Sequence, residues 1–178
     1  TKILLHPGRI TKQKNQVMLC RAVSSLQKEG LDIILLMAGG QQDEGIFAEL
    51  KGYFEEGRII YLGERKDIPQ LMQHADGLCL SSLWEGLPVV LLESFAAGCI
   101  PICTPVGGIP DIVQDNFNGI LSESTSEEDY KSALRRWYYL TDDERTEIRT
   151  NVLKSFDRYD ISNCANEYIN AYTKALNE

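Results

Sequence analysis

The sequence predicts an α/β fold: a doubly wound parallel sheet of about six strands, helices on both faces and a helical C-terminal tail, in one domain over residues 1–178. Two patterns carry this. Short, nearly continuous apolar runs alternate with stretches of helical period, as buried parallel strands and their crossover helices do. Five of the runs end in Gly, Ser or Pro, the turn chemistry of the edge where an open parallel sheet forms its ligand crevice. That pattern sets Gly8, Gly39, Gly63, Ser82 and Gly107 along one rim.

Taken in order, Ile3-Leu4-Leu5-His6 is a short strand that runs into Pro7-Gly8. A helix from about Asn15 carries Leu19, Ala22, Val23 and Leu26 on one face and stops at Gly30. Asp32 to Ala38 is a buried strand closed by Gly39-Gly40. Phe47, Leu50 and Phe54 mark the next helix, and Arg58 to Leu62 the third strand, ended by Gly63. Asp67 is placed to cap a helix that turns Leu71, Met72 and Ala75 inward. Gly77-Leu78-Cys79-Leu80 is the fourth strand and runs into Ser81-Ser82. Pro88 suits the first turn of a helix over Val89 to Ala97, with Gly98 as its stop. Ile100 to Thr104 is the fifth strand, and Pro101 puts its start near an edge or end. A helical turn around Asp111-Ile112-Val113, the turn Asn118-Gly119 and a last strand at Ile120-Leu121 follow. Ser126 with Asp129 and Thr141 with Glu144 are capping-box pairs for two later helices. Ile161, Ala165, Tyr168, Ile169, Tyr172 and Leu176 form one stripe of the last helix.

An apolar content of 43% and a charged content of 25% are ordinary for a globular protein, and the length supports a real core. The apolar runs are too short to span a bilayer and no signal peptide is read. Cys20, Cys79, Cys99, Cys103 and Cys164 are odd in number, form no CxxC and are mostly in apolar surroundings, so reduced structural thiols in a cytoplasmic protein are expected. A net charge of −8 speaks against nucleic acid as a partner. Any anionic ligand then needs positive groups placed locally. His6 and His74 are isolated and no Asp-x-Asp pair is present, so neither a metal nor a cofactor is expected.

The candidate chemistry gathers around Glu85-Gly86-Leu87-Pro88 and the helix behind it. That helix is nearly all apolar, so burial on most sides is expected, and Glu93 then needs a polar partner. A neighbouring loop or a ligand hydroxyl would each supply one. The helix N-terminus offers free N–H groups and a positive dipole end to an anion. Arg9 and Lys14, after the first strand, could face the same anion, the planar fork and the point charge suiting a diphosphate. Solvated surface charges are the plain alternative. Gly39-Gly40 lacks a full dinucleotide fingerprint, and no Walker Lys-Ser/Thr follows. No nucleophile elbow or Ser/His/Asp set stands out. Ser81, Ser82, Asp76, Trp84, Trp137 and His74 are read as structural.

Gly8-Arg9 with Lys14-Asn15, Gly39-Gly40, Leu62-Gly63 with Asp67-Ile68-Pro69, and Ser81 to Glu93 together resemble the C-terminal half of the GT-B retaining glycosyltransferases, the large group called glycosyltransferase family 4. The likeness continues through Ala97-Gly98, Thr104-Pro105-Val106-Gly107-Gly108, Ile112-Val113 and Asn118-Gly119, covering most of residues 1–125. The resemblance implies site roles. Arg9 and Lys14 hold the donor diphosphate and, with Glu85 near the transferred sugar, carry catalysis. Gly86 and Leu87 offer backbone N–H groups, and Glu93 accepts from ribose hydroxyls. Gly39, Gly40 and Arg65 complete the donor site, the loop Glu64-Arg65-Lys66 meeting the base. Asp111 stands where the family loop often ends in Glu.

The resemblance also implies the reaction: transfer of a sugar from a nucleoside diphosphate sugar, with retained anomeric configuration and no metal, to a glycan or lipid-linked acceptor in bacterial surface polysaccharide synthesis. GT-B enzymes place the active site between two Rossmann-like domains, and only the second is matched here. The N-terminal acceptor domain is therefore expected to be absent from this chain, which should bind nucleotide without robust turnover. The full-length enzyme is expected in the cytoplasm, peripheral to the inner membrane. A GT-B nucleotide-sugar epimerase half and a non-catalytic nucleotide-binding module are the alternatives.

Overall fold

In the computed structural model, which describes residues 1–159 and 161–177, six parallel strands form one sheet. The side chains of Ile161, Cys164 and Asn177 lie outside the described residues, so the readings of Ile161 and Cys164 are not addressed. The strands are β1 (Lys2–Pro7), β2 (Ile33–Ala38), β3 (Ile59–Tyr61), β4 (Gly77–Leu80), β5 (Pro101–Cys103) and β6 (Ile120–Leu121). Their spatial order is β3-β2-β1-β4-β5-β6. Leu4 and Leu5 of β1 pair with Leu35 and Leu36 of β2 on one side and with Gly77 and Leu78 of β4 on the other.

The helices are α1 (Gln16–Lys28), α2 (Glu44–Glu55), α3 (Ile68–His74), α4 (Val89–Ala97), α5 (Ile109–Ile112), α6 (Glu127–Tyr139), α7 (Asp142–Phe156) and α8 (Ile161–Asn177). One layer packs α1 against α2 and α6, and another packs α4 against α3 and α7. With both faces of the sheet covered, alternation of polar and apolar residues is unnecessary, and all four residues of β4 are buried. Leu4, Leu5, Leu35, Leu78, Leu80 and Ile102 form the centre of the core. Gly77 leaves the space that the Trp137 indole fills, since a Cβ there would lie 2.9 Å from the ring.

Local chemistry explains where elements begin and end. Gly98 ends α4 at φ 68, a left-handed turn suited to glycine. Thr141 and Glu144 complete a full capping box at α7, each side chain bonding the other's backbone N–H. Ser126 caps α6, but the Asp129 carboxylate bonds Ser124 Oγ, so only half of the expected box forms. Asp67 occupies the N-cap position of α3 without bonding the helix. Both its oxygens take the Arg65 guanidinium instead, because a charged fork is a stronger donor than an amide. Along α8, Tyr168, Ile169, Tyr172 and Leu176 are each at least 60% exposed, so the stripe read in the sequence faces away from the core.

Thr141→Ala removes the acceptor that holds the first turn of α7, and should cost about 1 kcal/mol of stability. Urea unfolding followed by far-UV circular dichroism checks this; an unchanged midpoint would show that the cap carries no net stability.

Candidate functional site

Strand order reverses between β1 and β4, because the chain proceeds from β1 outward through β2 and β3, then returns to build β4, β5 and β6 on the other side. Loops leaving two such strands diverge and open a crevice at their carboxyl ends. The loop after β1 contains Gly8 to Asn15, with a 3-10 turn at Lys12–Lys14. The loop after β4 contains Ser81 to Pro88 and feeds directly into α4.

The rim read from the sequence is one hydrogen-bonded edge. Gly8 N–H donates to Ala38 O, Ile10 N–H to Gly40 O, Gly39 N–H to Gly63 O and Leu83 N–H to Gln13 O, each at 2.8 Å. Ser81 Oγ donates to Lys14 O at 2.8 Å, and Thr104 Oγ1 to Ser82 O at 2.6 Å. Ser81 and Ser82 thus tie loops together, as a structural reading expects. At Gly39 a Cβ would overlap the Gly8 carbonyl. At Gly107, φ is 57 and a Cβ would overlap the Glu85 carbonyl, so only glycine lets the β5–α5 loop close on the Glu85 loop.

Between the two loops at this switch point, Lys14 Nζ lies 2.6 Å from Glu85 Oε1, with the two side chains 17% and 7% exposed. Ser82 Oγ donates to the same oxygen at 2.6 Å, while Gln13 Nε2 is 3.4 Å from Oε2. Removing one partner of so enclosed a pair leaves a desolvated charge, a cost of roughly 3 kcal/mol. Beneath the pair, His6 is buried, with Nδ1 2.8 Å from Cys79 O and no partner for Nε2. Burial pulls the His6 pKa down to about 4; the Lys14 charge adds to this, against the Cys79 hydrogen bond and Glu85. Neither His6 nor Gln13 is marked as functional by the sequence alone. The one visible signal was a polar residue closing an apolar strand.

Arg9 is exposed on the same loop as Lys14, and its side chain has no hydrogen bond or ion pair among the described residues. Gly86 and Leu87 are exposed ahead of α4. Pro88 is the N-cap of α4, one position before the expected first turn, and no side chain caps the helix. Arg65 is fixed on Asp67, and Glu64 lies over Gly40. Gly39 has both backbone groups engaged, its carbonyl accepting from Tyr61 OH at 2.7 Å.

The structure departs from the burial that the apolar helix predicts for Glu93. Glu93 is exposed, not buried, and makes no hydrogen bond among the described residues. Only Leu91, Ser94 and Phe95 of α4 are buried, whereas Val89 and Glu93, one turn apart, share its open face. Trp84, read as a packing residue, is 53% exposed, while Trp137 is fully buried. His74 bonds within its own helix, to Gln70 O. The four described cysteines are free and buried, and burial pushes the Cys20 and Cys99 thiols up to about 12. Asp111 is exposed on the first turn of α5. Among the described residues no three His, Cys, Asp or Glu side chains converge as a metal site, and no helix is long and apolar enough to cross a membrane.

Comparison with known proteins gives a family and a fold. The family model for glycosyl transferases group 1 matches residues 1–154. An Escherichia coli protein named UDP-Gal:alpha-D-GlcNAc-diphosphoundecaprenol alpha-1,3-galactosyltransferase is 28% identical over 93% of this chain and 40% of its own length. A Campylobacter jejuni protein named N-acetylgalactosamine-N,N'-diacetylbacillosaminyl-diphospho-undecaprenol 4-alpha-N-acetylgalactosaminyltransferase is 30% identical over 94% of this chain and 46% of its own. The chain thus spans less than half the length of these relatives. Among solved structures, Anabaena HepE in complex with UDP and glucose aligns with a TM-score of 0.83 at 20% identity, over 97% of this chain and 48% of that one. The C-terminal domain of LpcC, a group 1 family protein from Francisella tularensis, aligns with a TM-score of 0.77 at 24% identity, over 90% of this chain and 87% of that one. Both structural likenesses show a shared fold.

The buried His6 gives the stability a pH signature. Its folded pKa of about 4 lies below the ordinary value of 6.5, so the unfolded chain takes up the proton first. The His6 contribution should be complete above pH 6.5 and fall with decreasing pH toward 4, by at most roughly 1.4 kcal/mol per pH unit. Urea unfolding at a series of pH values should show this slope, flattened in His6→Asn. An identical slope in the variant would assign the effect to other groups.

Proposed function

Because the chain belongs to the group 1 glycosyl transferases, we propose that it is the donor-binding, C-terminal half of a retaining GT-B enzyme of glycosyltransferase family 4. In this reading the enzyme moves a sugar from a nucleoside diphosphate to a lipid-linked or glycan acceptor during bacterial surface polysaccharide synthesis. The observation that carries it is the Lys14–Glu85 pair joining the loops at the β1–β4 switch point, with Arg9 unengaged on the same loop as Lys14 and the N-terminus of α4 uncapped by any side chain.

Transfer breaks the bond between the sugar C1 and the diphosphate oxygen, with the electron pair staying on the diphosphate, and joins C1 to an acceptor hydroxyl oxygen, whose proton the departing diphosphate takes. Arg9, Lys14 and the first N–H groups of α4 meet that developing charge without a metal. Glu85 Oε2, whose one contact is the long Gln13 bond, is the oxygen left to accept from the sugar. Gly86 and Leu87 present their N–H groups to the sugar or phosphate. Glu93 is exposed and free to receive the ribose hydroxyls. Gly39 and Gly40 shape the wall, and Arg65, its plane fixed by Asp67, faces the base.

UDP is the first nucleotide to try, since it is bound in the Anabaena structure and UDP-Gal appears in the name of the E. coli relative. The diphosphoundecaprenol in both relatives' names supports a lipid-linked acceptor and a full-length enzyme peripheral to the inner membrane from the cytoplasmic side. An N-terminal acceptor domain completes the active site. The exposed apolar stripe of α8 and the chain's fractional coverage of its relatives support such a neighbour. No observation favours an epimerase or a non-catalytic module.

A thermal-shift panel with UDP, GDP and ADP tests the reading. A nucleotide at about 100 times its dissociation constant should add roughly 2.7 kcal/mol of stability. The shift should be largely lost in Glu93→Ala and Lys14→Ala, each compared with its own ligand-free midpoint. No shift with any nucleotide, or shifts that both variants retain, would overturn the donor-site assignment. Robust sugar transfer by this chain alone would overturn the half-enzyme assignment.

A further inference from the structure

The reaction proposed above makes no use of His6, a buried polar side chain beside the two loops. The β1–β4 register runs through Leu4↔Gly77 and Leu5↔Leu78, and there the backbone pairing ends. The next residue of β1 is His6, whose Nδ1 reaches Cys79 O at 2.8 Å. A carbonyl only accepts, so Nδ1 carries the proton and Nε2 is a bare acceptor. The imidazole is 1% exposed, and no donor among the described residues meets Nε2.

What lies against that nitrogen is the site itself. The point where a Gly8 Cβ would sit is 3.5 Å from His6 Nε2 and 3.7 Å from Cγ and Cδ of Lys14. The His6 ring and the Lys14 stem therefore both border Gly8, and the Lys14 ammonium goes on to Glu85 at 2.6 Å. The charged groups that bear on His6 are Lys14, from the loop after β1, and Glu85, from the loop after β4. A protonated ring would set a second cation beside Lys14 and aim an N–H at no acceptor.

We propose that His6 is a positioning residue of the donor site, a neutral wedge that takes over where the β1–β4 ladder stops and sets the spacing between the Lys14 loop and the Glu85 loop. The proposal rests on the donor-site reading, and the diphosphate is the ligand whose affinity the spacing controls. His74, the chain's other histidine, is exposed and bonds within α3, so it serves as an internal control.

The test measures UDP affinity by calorimetry at a temperature where circular dichroism shows each variant folded. It is paired with imidazole 15N spectra of the wild-type chain. His6→Asn keeps an N–H near the Nδ1 position and should hold the dissociation constant within about threefold, while His6→Leu should weaken it by about tenfold or more. The His6 nitrogens should report the Nδ1–H tautomer and shift at saturating UDP, with His74 unmoved. If His6→Leu does not fold, the wild-type spectra decide. A wild type that binds UDP while His6→Leu binds equally well, or while the His6 signals stay still at saturation, overturns the role of His6 alone. A wild type that binds neither UDP, GDP nor ADP overturns the donor-site reading and this proposal with it.

Discussion

The ion pair between Lys14 and Glu85 is the constraint on which the crevice depends. Its members lie 71 residues apart in sequence, on loops that the reversal of strand order drives in opposite directions. A largely dehydrated lysine and glutamate persist only with close geometry and further hydrogen bonds, and Ser82 and Gln13 supply those. The pair therefore fixes the mouth of the crevice and presents one cation and one carboxylate side by side.

The surrounding rim explains how loops hold such a geometry. Each loop at the carboxyl edge bonds its neighbour through a backbone amide or a short hydroxyl, from Gly63 through Gly39 and Gly8 to Ser81, Thr104 and Gly108. Gly39 and Gly107 are glycines because two backbone segments approach there more closely than any Cβ allows. The rigid edge contrasts with the groups left open above it: Arg9, Leu87, Glu93 and the first turn of α4. The bonded edge thus holds the open groups in a fixed frame.

Much of this was legible in the sequence, for identifiable reasons. Gly77–Leu80 and Val89–Ala97 were read with their observed bounds because a continuous apolar run and a Pro-to-Gly bracket are strong local signals. The rim was legible because parallel strands all end at the same edge. Glu93 departs from the expected burial because α4 is apolar nearly all round, so its composition points to burial on most sides. Only tertiary packing shows that α3 and α7 cover one part of it. Asp67 was read as a cap because local sequence does not reveal that Arg65, two residues earlier, would take both its oxygens. The role of His6 depends on its register against Cys79, a partner 73 positions away, and no local pattern encodes that.

The most direct measurement is a crystal structure of this chain with UDP bound. Density for the diphosphate should lie between Arg9, Lys14 and the first turn of α4, with the ribose hydroxyls against Glu93 and Glu85 left facing the sugar position. A nucleotide seated away from the β1–β4 crevice, or no nucleotide at saturating UDP, GDP or ADP with the crevice open to solvent, would contradict the assignment of this crevice as the donor site.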